Sequence, residues 1–229
     1  MLNSMEQEMI AKNNNLKSSN LDEYLENHIL PIYSEFDQGH DPEHIMEVLE
    51  RSLSIAKLFK FVDLQVVKIV AYFHDIGLNK GRRNHHYYSA QLLAQDPVIS
   101  RKYSEKEITI MMEAIEDHRA SNRGKPRNLY GTILSQADNI TDASKIIRRT
   151  LSYGKDVFSH YDEESQIMRA YFYLVNKYSE GGYYEMQLDI QGDQERLLNL
   201  REILKTYIGF RAYCVKIMKE ETEILTLRE

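Results

Sequence analysis

Residues 66–77 read Val-Val-Lys-Ile-Val-Ala-Tyr-Phe-His-Asp-Ile-Gly, an apolar run that ends on a histidine–aspartate pair. Such a run is typical of a central helix covered by protein on most sides, and it predicts a helix over about residues 63–75. Adjacent helical residues point about 100° apart, so His74 and Asp75 cannot both face one small site in the middle of a regular helix. Gly77 indicates that the helix ends here, where the two side chains can converge.

Helical patterns dominate the rest of the sequence. Asp41 suits an N-cap and Pro42 a first helical position, while Ser104 and Glu107 form a capping-box pattern. These signals and the apolar periodicity predict helices over about residues 21–36, 42–61, 85–95, 104–119, 129–152 (as one helix or two), 163–178 and 194–227. Residues 183–190 alternate as a short strand would. The sequence therefore predicts an all-α bundle with at most one short β-strand or hairpin.

The length and composition suit one folded domain. The 229 residues are 42% apolar and 28% charged. A chain of this length can bury about 70–75% of the surface that its unfolded form exposes, so it needs no disulfide to hold a core. No Pro-rich or Gly-rich linker divides residues 21–229, which we predict to be a single helical domain after a flexible, polar segment over residues 1–20.

Charge and cysteine content bear on location and partners. The formal net charge of −6 gives no general reason to expect nucleic acid or an acidic membrane as a partner. Cys214 is the only cysteine, which excludes an internal disulfide and favours a reducing compartment. The sequence has neither a signal-peptide pattern nor the roughly 20 consecutive apolar residues of a membrane span. We expect a cytoplasmic protein, and a homodimer stays an open alternative.

Histidines gather in the first part of the chain. Five of the eight lie near an end of a predicted helix or in a helix–loop junction, namely His44, His74, His85, His86 and His118. Asp75 and Asp138 supply carboxylates in the same region. Imidazole and carboxylate ligands without thiolates suit Zn, Mn, Fe, Ni or Co better than a soft metal. This residue set indicates a metal site whose ion the sequence does not identify.

Five segments follow one another in the order and spacing of a known family: HDPEHIMEV (40–48), AYFHDIGLNK (71–80), HHYYSAQLL (85–93), AIEDHRA (114–120) and LSQADNI (134–140). The tetrapeptide at 74–77, His-Asp-Ile-Gly, looks like that family's signature. Over about residues 37–145 the chain thus resembles the HD-domain metallohydrolases. The resemblance implies an all-α HD-domain bundle, and we expect residues 146–229 to extend it with further helices.

The resemblance also implies a set of metal ligands. Matching the family's positions gives four ligands for a principal metal and two for a second, namely His44, His74, Asp75 and Asp138, then His85 and His118. In binuclear members the equivalent of Asp75 bridges both metals. His44 is preferred to His40 because it matches the family's His-Ile-x-x-Val pattern, so His40 is expected to serve the helix start. His86 would face elsewhere or reach substrate. The implied cofactor is one or two ions of Mn, Fe, Co, Ni, Zn or Mg.

A basic loop follows the His-Asp pair. Lys80, Arg82 and Arg83 lie five to eight residues after it, and we predict that they contact substrate phosphate, since arginine is suited to bidentate contact with phosphate. The predicted catalytic groups are Asp75, His74, Lys80, His85 and His118.

The implied activity is hydrolysis of a phosphate ester by metal-activated water, most simply on a nucleotide or another small phosphorylated metabolite. Three alternatives stay open. A cyclic or linear dinucleotide phosphodiesterase is disfavoured because the Gly-Tyr-Pro signature of that branch of the family is absent. An HD-fold diiron oxygenase would use the same ligands, and a non-catalytic metal- or nucleotide-binding module would need only part of them.

Overall fold

The structure is a computed structural model that describes residues 20–226 except Gln38, Arg123 and Thr141, with side chains to residue 220. The segment over residues 1–20 that the sequence predicts to be flexible lies outside the described residues, apart from Asn20. The all-α prediction is confirmed, because no described residue belongs to a β-strand. None of the described helices combines the length and the apolar content that crossing a membrane requires.

Residues 20–35 form one helical segment that widens to π-type turns over Leu25–Ile29 and tightens to a 3₁₀-helix over Leu30–Glu35. The α-helices that follow are α1 Pro42–Ala56, α2 Leu64–Phe73, α3 His85–Gln95, α4 Pro97–Lys102, α5 Glu105–Asp117, α6 Leu129–Asn139, α7 Ala143–Val157, α8 Glu163–Tyr178, α9 Asp193–Leu204 and α10 Tyr207–Thr226. A further 3₁₀-helix, Ile76–Lys80, joins α2 to α3.

The helix starts follow the caps that the sequence contains. The Asp41 carboxylate accepts a hydrogen bond from the His44 amide and begins α1. Ser104 and Glu107 form the complete capping box of α5. The prediction of one helix over 42–61 is wrong at its end, since α1 stops at Ala56 and a new cap, Asp63, begins α2.

Two longer predicted helical patterns are divided in the structure. The pattern over 129–152 is two helices, which resolves the alternative that the sequence left open, and the pattern over 194–227 is also two. In the second case Thr206 supplies a new cap, because its hydroxyl accepts a hydrogen bond from the Gly209 amide.

Residues 183–190, which the sequence left open as a possible short strand, are not a strand. The Tyr184 amide donates to the Lys177 carbonyl at the end of α8, 2.9 Å away. The amide and carbonyl of Leu188 both bond to the side-chain amide of Gln136, at 2.8 and 2.9 Å. A glutamine side chain and a helix end thus satisfy main-chain groups that a partner strand would satisfy in a sheet, and the segment is an extended loop.

The buried apolar residues form two clusters. The first extends from Leu21 to Ala137 and surrounds α2, and the second extends from Ile140 to Ile217 between α7, α8, α9 and α10. The buried carboxylate of Asp193, at the start of α9, links the helices around the two clusters. It accepts hydrogen bonds from Arg51 on α1 at 3.0 Å and from Gln136 on α6 at 2.8 Å.

Candidate metal centre

The His-Asp pair lies where α2 gives way to the 3₁₀-helix. His74 keeps helical dihedral angles, with φ −60° and ψ −33°, whereas Asp75 leaves the helix with φ −114° and ψ 2°. This change brings Asp75 Oδ2 to 3.3 Å from His74 Nε2. Both side chains are buried. The end of the helix therefore achieves the convergence that a regular helix forbids.

Gly77 is required for close packing. A Cβ atom on it would lie 2.5 Å from both the His85 carbonyl oxygen and the Ser89 amide nitrogen, far inside van der Waals contact. The Gly77 amide also donates a hydrogen bond to the Ser89 hydroxyl at 2.9 Å. The first turn of α3 can therefore lie directly against the His-Asp turn, which carries His85 to Asp75.

Three buried donor atoms form a compact triangle on one side of Asp75. Its Oδ1 lies 3.0 Å from His85 Nε2 and 3.5 Å from His118 Nε2, and the two nitrogens are 3.4 Å apart. Two ligands that each lie about 2.1 Å from a metal, at angles of about 90–110°, are themselves about 3.0–3.4 Å apart. The triangle therefore has the size of one face of a metal coordination shell.

A second group lies on the other side of the same carboxylate. Donor atoms of His44, His74 and Asp75 all lie within 4.8 Å of one another. Asp138, in the last turn of α6, places Oδ1 3.4 Å from His44 Nε2. Because Oδ2 of Asp75 faces His74 and Oδ1 faces His85, this one carboxylate is shared by the two groups.

Main-chain carbonyls fix the orientation of three of the imidazoles. In each, Nδ1 lies 2.6–2.8 Å from the carbonyl oxygen three residues earlier, in the pairs His74–Ala71, His85–Arg82 and His118–Ile115. A carbonyl can only accept, so Nδ1 carries the proton. Nε2 is the atom that faces Asp75, and this outer hydrogen bond is the usual device that orients a metal-binding histidine.

The electrostatics of the cluster favour a cation. Burial and the nearby Arg149 lower the pKa of His44 to about 3. Burial opposes ionisation of Asp75 and Asp138, but the imidazoles hold the pKa of both carboxyls well below the ordinary value. Burial also acts against a charged His74, yet Asp75 outweighs it and raises the His74 pKa to about 9. Two carboxylates are thus ionised at neutral pH, and a divalent ion would displace the His74 proton.

The donor set fits a divalent metal ion on a further ground. Buried polar atoms almost always have a hydrogen-bond partner. Within the described residues, His74 Nε2 and Asp75 Oδ1 are buried and have no hydrogen bond, although both point into the cluster. A metal ion would satisfy both atoms, and imidazole nitrogen with carboxylate oxygen suits a borderline divalent metal.

Other residues that the sequence singled out lie around this cluster. His40 does not cap a helix: Nδ1 donates to Asp37 at 2.8 Å, and Nε2 lies 3.9 Å from Asp75 Oδ2. His86 is buried against Tyr87, and burial and Arg119 lower its pKa to about 4.

The three basic residues of the loop after the His-Asp pair lie in different surroundings. Arg82 lines the cavity over the cluster, which has a volume of about 220 Å³. Lys80 and Arg83 are exposed and do not line this cavity. The structure therefore brings one of the three predicted phosphate contacts to the cluster.

Sequence reasoning missed two basic residues that line this cavity from the second half of the chain. Arg149 on α7 places Nη2 3.1 Å from His44 Nε2, and Lys177 on α8 donates to Asn139 Oδ1 at 2.7 Å. Each lies three residues after a buried apolar residue, Ile146 or Leu174. A charged residue at core spacing in an amphipathic helix is a signal that could have indicated them.

The family comparison covers the elements that carry the cluster. The family model described as the HD domain matches residues 43–143, and no curated protein and no solved structure matches the chain. The matched range contains every residue of the cluster, namely His44, His74, Asp75, His85, His118 and Asp138. Residues 43–143 therefore match the HD-domain family, which the sequence motifs also resemble.

Proposed function

We propose that this protein hydrolyses a phosphate ester of a small metabolite, most simply a nucleotide, with metal-activated water. The observation that carries the proposal is the Asp75 carboxylate shared by two groups of buried imidazoles, with an open cavity above it. Metal ions bound there would lower the pKa of water from about 15.7 toward about 7 and offset the negative charge of a phosphoryl group.

The chain's own residues would bind and orient the substrate. Four cations line the cavity over the cluster, from the loop after the His-Asp turn, the end of α5, α7 and α8: Arg82, Arg119, Arg149 and Lys177. Its only carboxylates, among the described residues, are Asp75 and Asp138, which belong to the proposed ligand set. The lining therefore favours an anionic substrate, as a phosphate ester is.

Asp75 would serve as a ligand in both groups. Its two oxygens face different imidazole groups, so it would help to hold a metal ion in each group. The Nδ1 hydrogen bonds of His74, His85 and His118 would keep these rings from rotating and leave Nε2 free to bind. Burial of the cluster would keep bulk water from competing for the ligand atoms.

Phosphate release tests the proposal. Protein stripped of metal would be reloaded separately with Mn, Co, Ni, Mg, Zn and Fe and assayed against nucleotides and other phosphate esters. Asp75→Asn keeps the shape of the side chain and removes its charge, and Asp156→Asn makes the same change at an exposed position. We expect turnover that needs metal, is lost in Asp75→Asn and is retained in Asp156→Asn.

The other outcomes separate the rival functions. No phosphate release with any combination of metal and ester would contradict hydrolysis. Oxygen uptake by the iron-loaded protein would then indicate the oxygenase. Tight nucleotide binding without turnover would indicate a binding module, and release from dinucleotides alone would indicate the phosphodiesterase.

A further inference from the structure

A second cavity opens beside the cavity over the cluster. Its volume is about 270 Å³, and it extends between α7 and α8, outside the range that the family model matches. The two cavities share several lining residues, so they form one continuous cleft: His40, Arg82, Arg119, Asp138, Asn139, Arg149, Tyr173 and Lys177. A molecule with one end at the cluster can therefore reach into the second cavity.

The second cavity is strongly basic. Arg169 on α8 joins the four cations that line the first cavity. Among the described residues that line it, Asp138 is the only carboxylate, and it faces His44 in the metal-ligand cluster. Two of the five cations in this lining have a carboxylate nearby, since Arg82 pairs with Asp37 and Arg149 Nη2 lies 3.7 Å from Asp138 Oδ1. The lining keeps an excess of positive charge, carried by Arg119, Arg169 and Lys177.

Neutral groups hold three of these cations in place. The Arg169 guanidinium donates to the Thr150 carbonyl and to Gln166 Oε1. The Lys177 ammonium donates to Asn139 Oδ1, and the Arg119 guanidinium donates to a main-chain carbonyl, that of Arg83. Within the part of the chain that the structure describes, none of the three forms an ion pair with a carboxylate.

These positions are costly for cations. Burial lowers the pKa of both Arg169 and Lys177, since each side chain is partly removed from water. A half-buried cation without a carboxylate partner is unfavourable unless a bound anion neutralises its charge. Asn139 also donates to the His118 carbonyl at 3.3 Å, so one side chain joins the Lys177 ammonium to the backbone of a proposed metal ligand. The Lys177 ammonium is thus held at a fixed position relative to the cluster.

We propose that the substrate carries a second phosphate group, and that Arg169 and Lys177 bind it while the phosphate to be cleaved lies at the metal cluster. The proposal rests on the proposed function and names its substrate class, a phosphate ester with two phosphoryl groups. Arginine binds phosphate through two parallel hydrogen bonds and lysine binds it as a point charge, and both side chains line the same cavity.

Equilibrium binding tests this without turnover. The probes are AMP, ADP and adenosine 3′,5′-bisphosphate, titrated calorimetrically into metal-free protein in the presence of a chelator and compared at one ionic strength. We expect at least one of the two doubly phosphorylated probes to bind at least tenfold more tightly than AMP. The tighter of the two shows whether the second phosphate is attached to the first or lies across the sugar.

Matched variants locate the effect. Arg169→Gln/Lys177→Gln removes both charges, and we expect it to bring the preferred probe to within twofold of AMP. Arg101→Gln/Lys106→Gln removes two exposed charges outside the cleft and should keep the tenfold preference. If Arg169→Gln disturbs folding, Lys177→Gln alone should still lower the preference for the doubly phosphorylated probe at least threefold. Arg169→Lys keeps the positive charge and should keep most of the wild-type preference.

The outcomes separate this proposal from the hydrolase proposal. Wild-type protein that binds all three probes within twofold would overturn the second-phosphate site, whatever the phosphate-release assay gives. A preference that survives in the double variant would overturn it too. A preference that needs Arg169 and Lys177, in a protein that releases no phosphate, would support the site and contradict hydrolysis.

Discussion

The HD core (residues 43–143, the segment that matches the HD domain) and the helices after it supply different kinds of residue to the same cleft. The core, built around α2, supplies buried imidazoles and carboxylates whose donor atoms lie 3.0–3.5 Å apart. The later helices α7 and α8 supply Arg149, Arg169 and Lys177, which line the cleft. Metal ligands must satisfy strict geometry and therefore occupy positions that a motif can describe. Cations that contact an anion can come from any neighbouring helix, so the later region carries no motif.

Loss of the shared carboxylate should have the largest effect. Asp75→Asn removes the charge that both imidazole groups face, so we expect metal content after dialysis to fall from up to two ions per chain to none, with turnover lowered by about 10³-fold or more. His118→Gln should remove only the ion held with His85. Elemental analysis of the dialysed proteins measures both. Equal losses in the two variants would contradict a shared carboxylate.

Gly77→Ala should be the next most damaging change, because it affects the contact that brings α3 to the His-Asp turn. A Cβ atom there meets backbone atoms of His85 and Ser89 at 2.5 Å, so we expect a loss of about 3 kcal/mol in the free energy of unfolding. Urea unfolding followed by circular dichroism measures it. Gly209→Ala, in the first turn of α10, is the milder comparison. Its Cβ would lie 3.1 Å from the hydroxyl of Thr206, a side chain that can rotate, so we expect a loss below about 1 kcal/mol. A Gly77→Ala protein as stable as the wild type would contradict the close packing.

The junction between the two regions is the third target. Asp193 is fully buried and is bonded by Arg51 and Gln136 of the core. Removing one partner of a buried ion pair leaves the other charge unpaired, so we expect Asp193→Asn to lower the free energy of unfolding by about 3 kcal/mol. The exposed pair of Glu202 and Lys205 is a control, and Glu202→Gln should change it by less than about 1 kcal/mol.

The same experiment tests the prediction that residues 21–229 fold as one domain. A single unfolding transition in Asp193→Asn, shifted as a whole, would support it. Two separate transitions in the variant would show that this junction is what couples the regions. Two transitions in the wild type would contradict the prediction.

Local sequence signals predicted the fold where the decisive interaction is local. The caps at Asp41 and Ser104 began helices at those positions, because the partner is an amide three residues away. The alternating pattern over residues 183–190 was misleading for the opposite reason. Alternation there resembles a strand, but the Gln136 side chain, which bonds the main chain of Leu188, lies 52 residues away in the sequence.

The candidate site divides in the same way. Five motifs in a fixed order contain the residues of the proposed ligand set, and the structure brings these residues together into two groups that could hold a metal ion. The motif could not indicate why His74-Asp75-Ile76-Gly77 ends in glycine; the reason is the approach of α3, a tertiary contact. The spacing of Lys177 from Leu174 could have indicated a partly buried cation, but not the cleft that it lines. Neither Lys177 nor Arg169 could be assigned to the cleft from the sequence, since their partners Asn139 and Thr150 are carried by other helices.

The smallest expected effect on the free energy of unfolding comes from removing a helix cap, and each region has one cap that can be compared. Ser104 caps α5 of the core, and Asp142 caps α7 by accepting a hydrogen bond from the Ser144 amide at 2.8 Å. Each change to alanine should lower the free energy of unfolding by about 1 kcal/mol at neutral pH. If the chain unfolds as one unit, both variants shift the same transition. A shift confined to a separate, weaker transition in Asp142→Ala would show that the later helices unfold on their own.

The pH dependence of these two variants should differ. The hydrogen bond from Ser144 lowers the pKa of Asp142. A carboxyl whose pKa is lower in the folded state stabilises the protein above its unfolded pKa, and this contribution is lost as the pH falls through the folded value. The difference between wild type and Asp142→Ala should therefore shrink in acid. Ser104 does not titrate, although Glu107, its partner in the capping box, does, and the pKa of Glu107 is lowered by the Ser104 hydroxyl. The hydrogen bond that the Glu107 amide donates to Ser104 Oγ should persist when the Glu107 side chain is protonated. Ser104→Ala should therefore keep part of its effect at a pH where that of Asp142→Ala has gone.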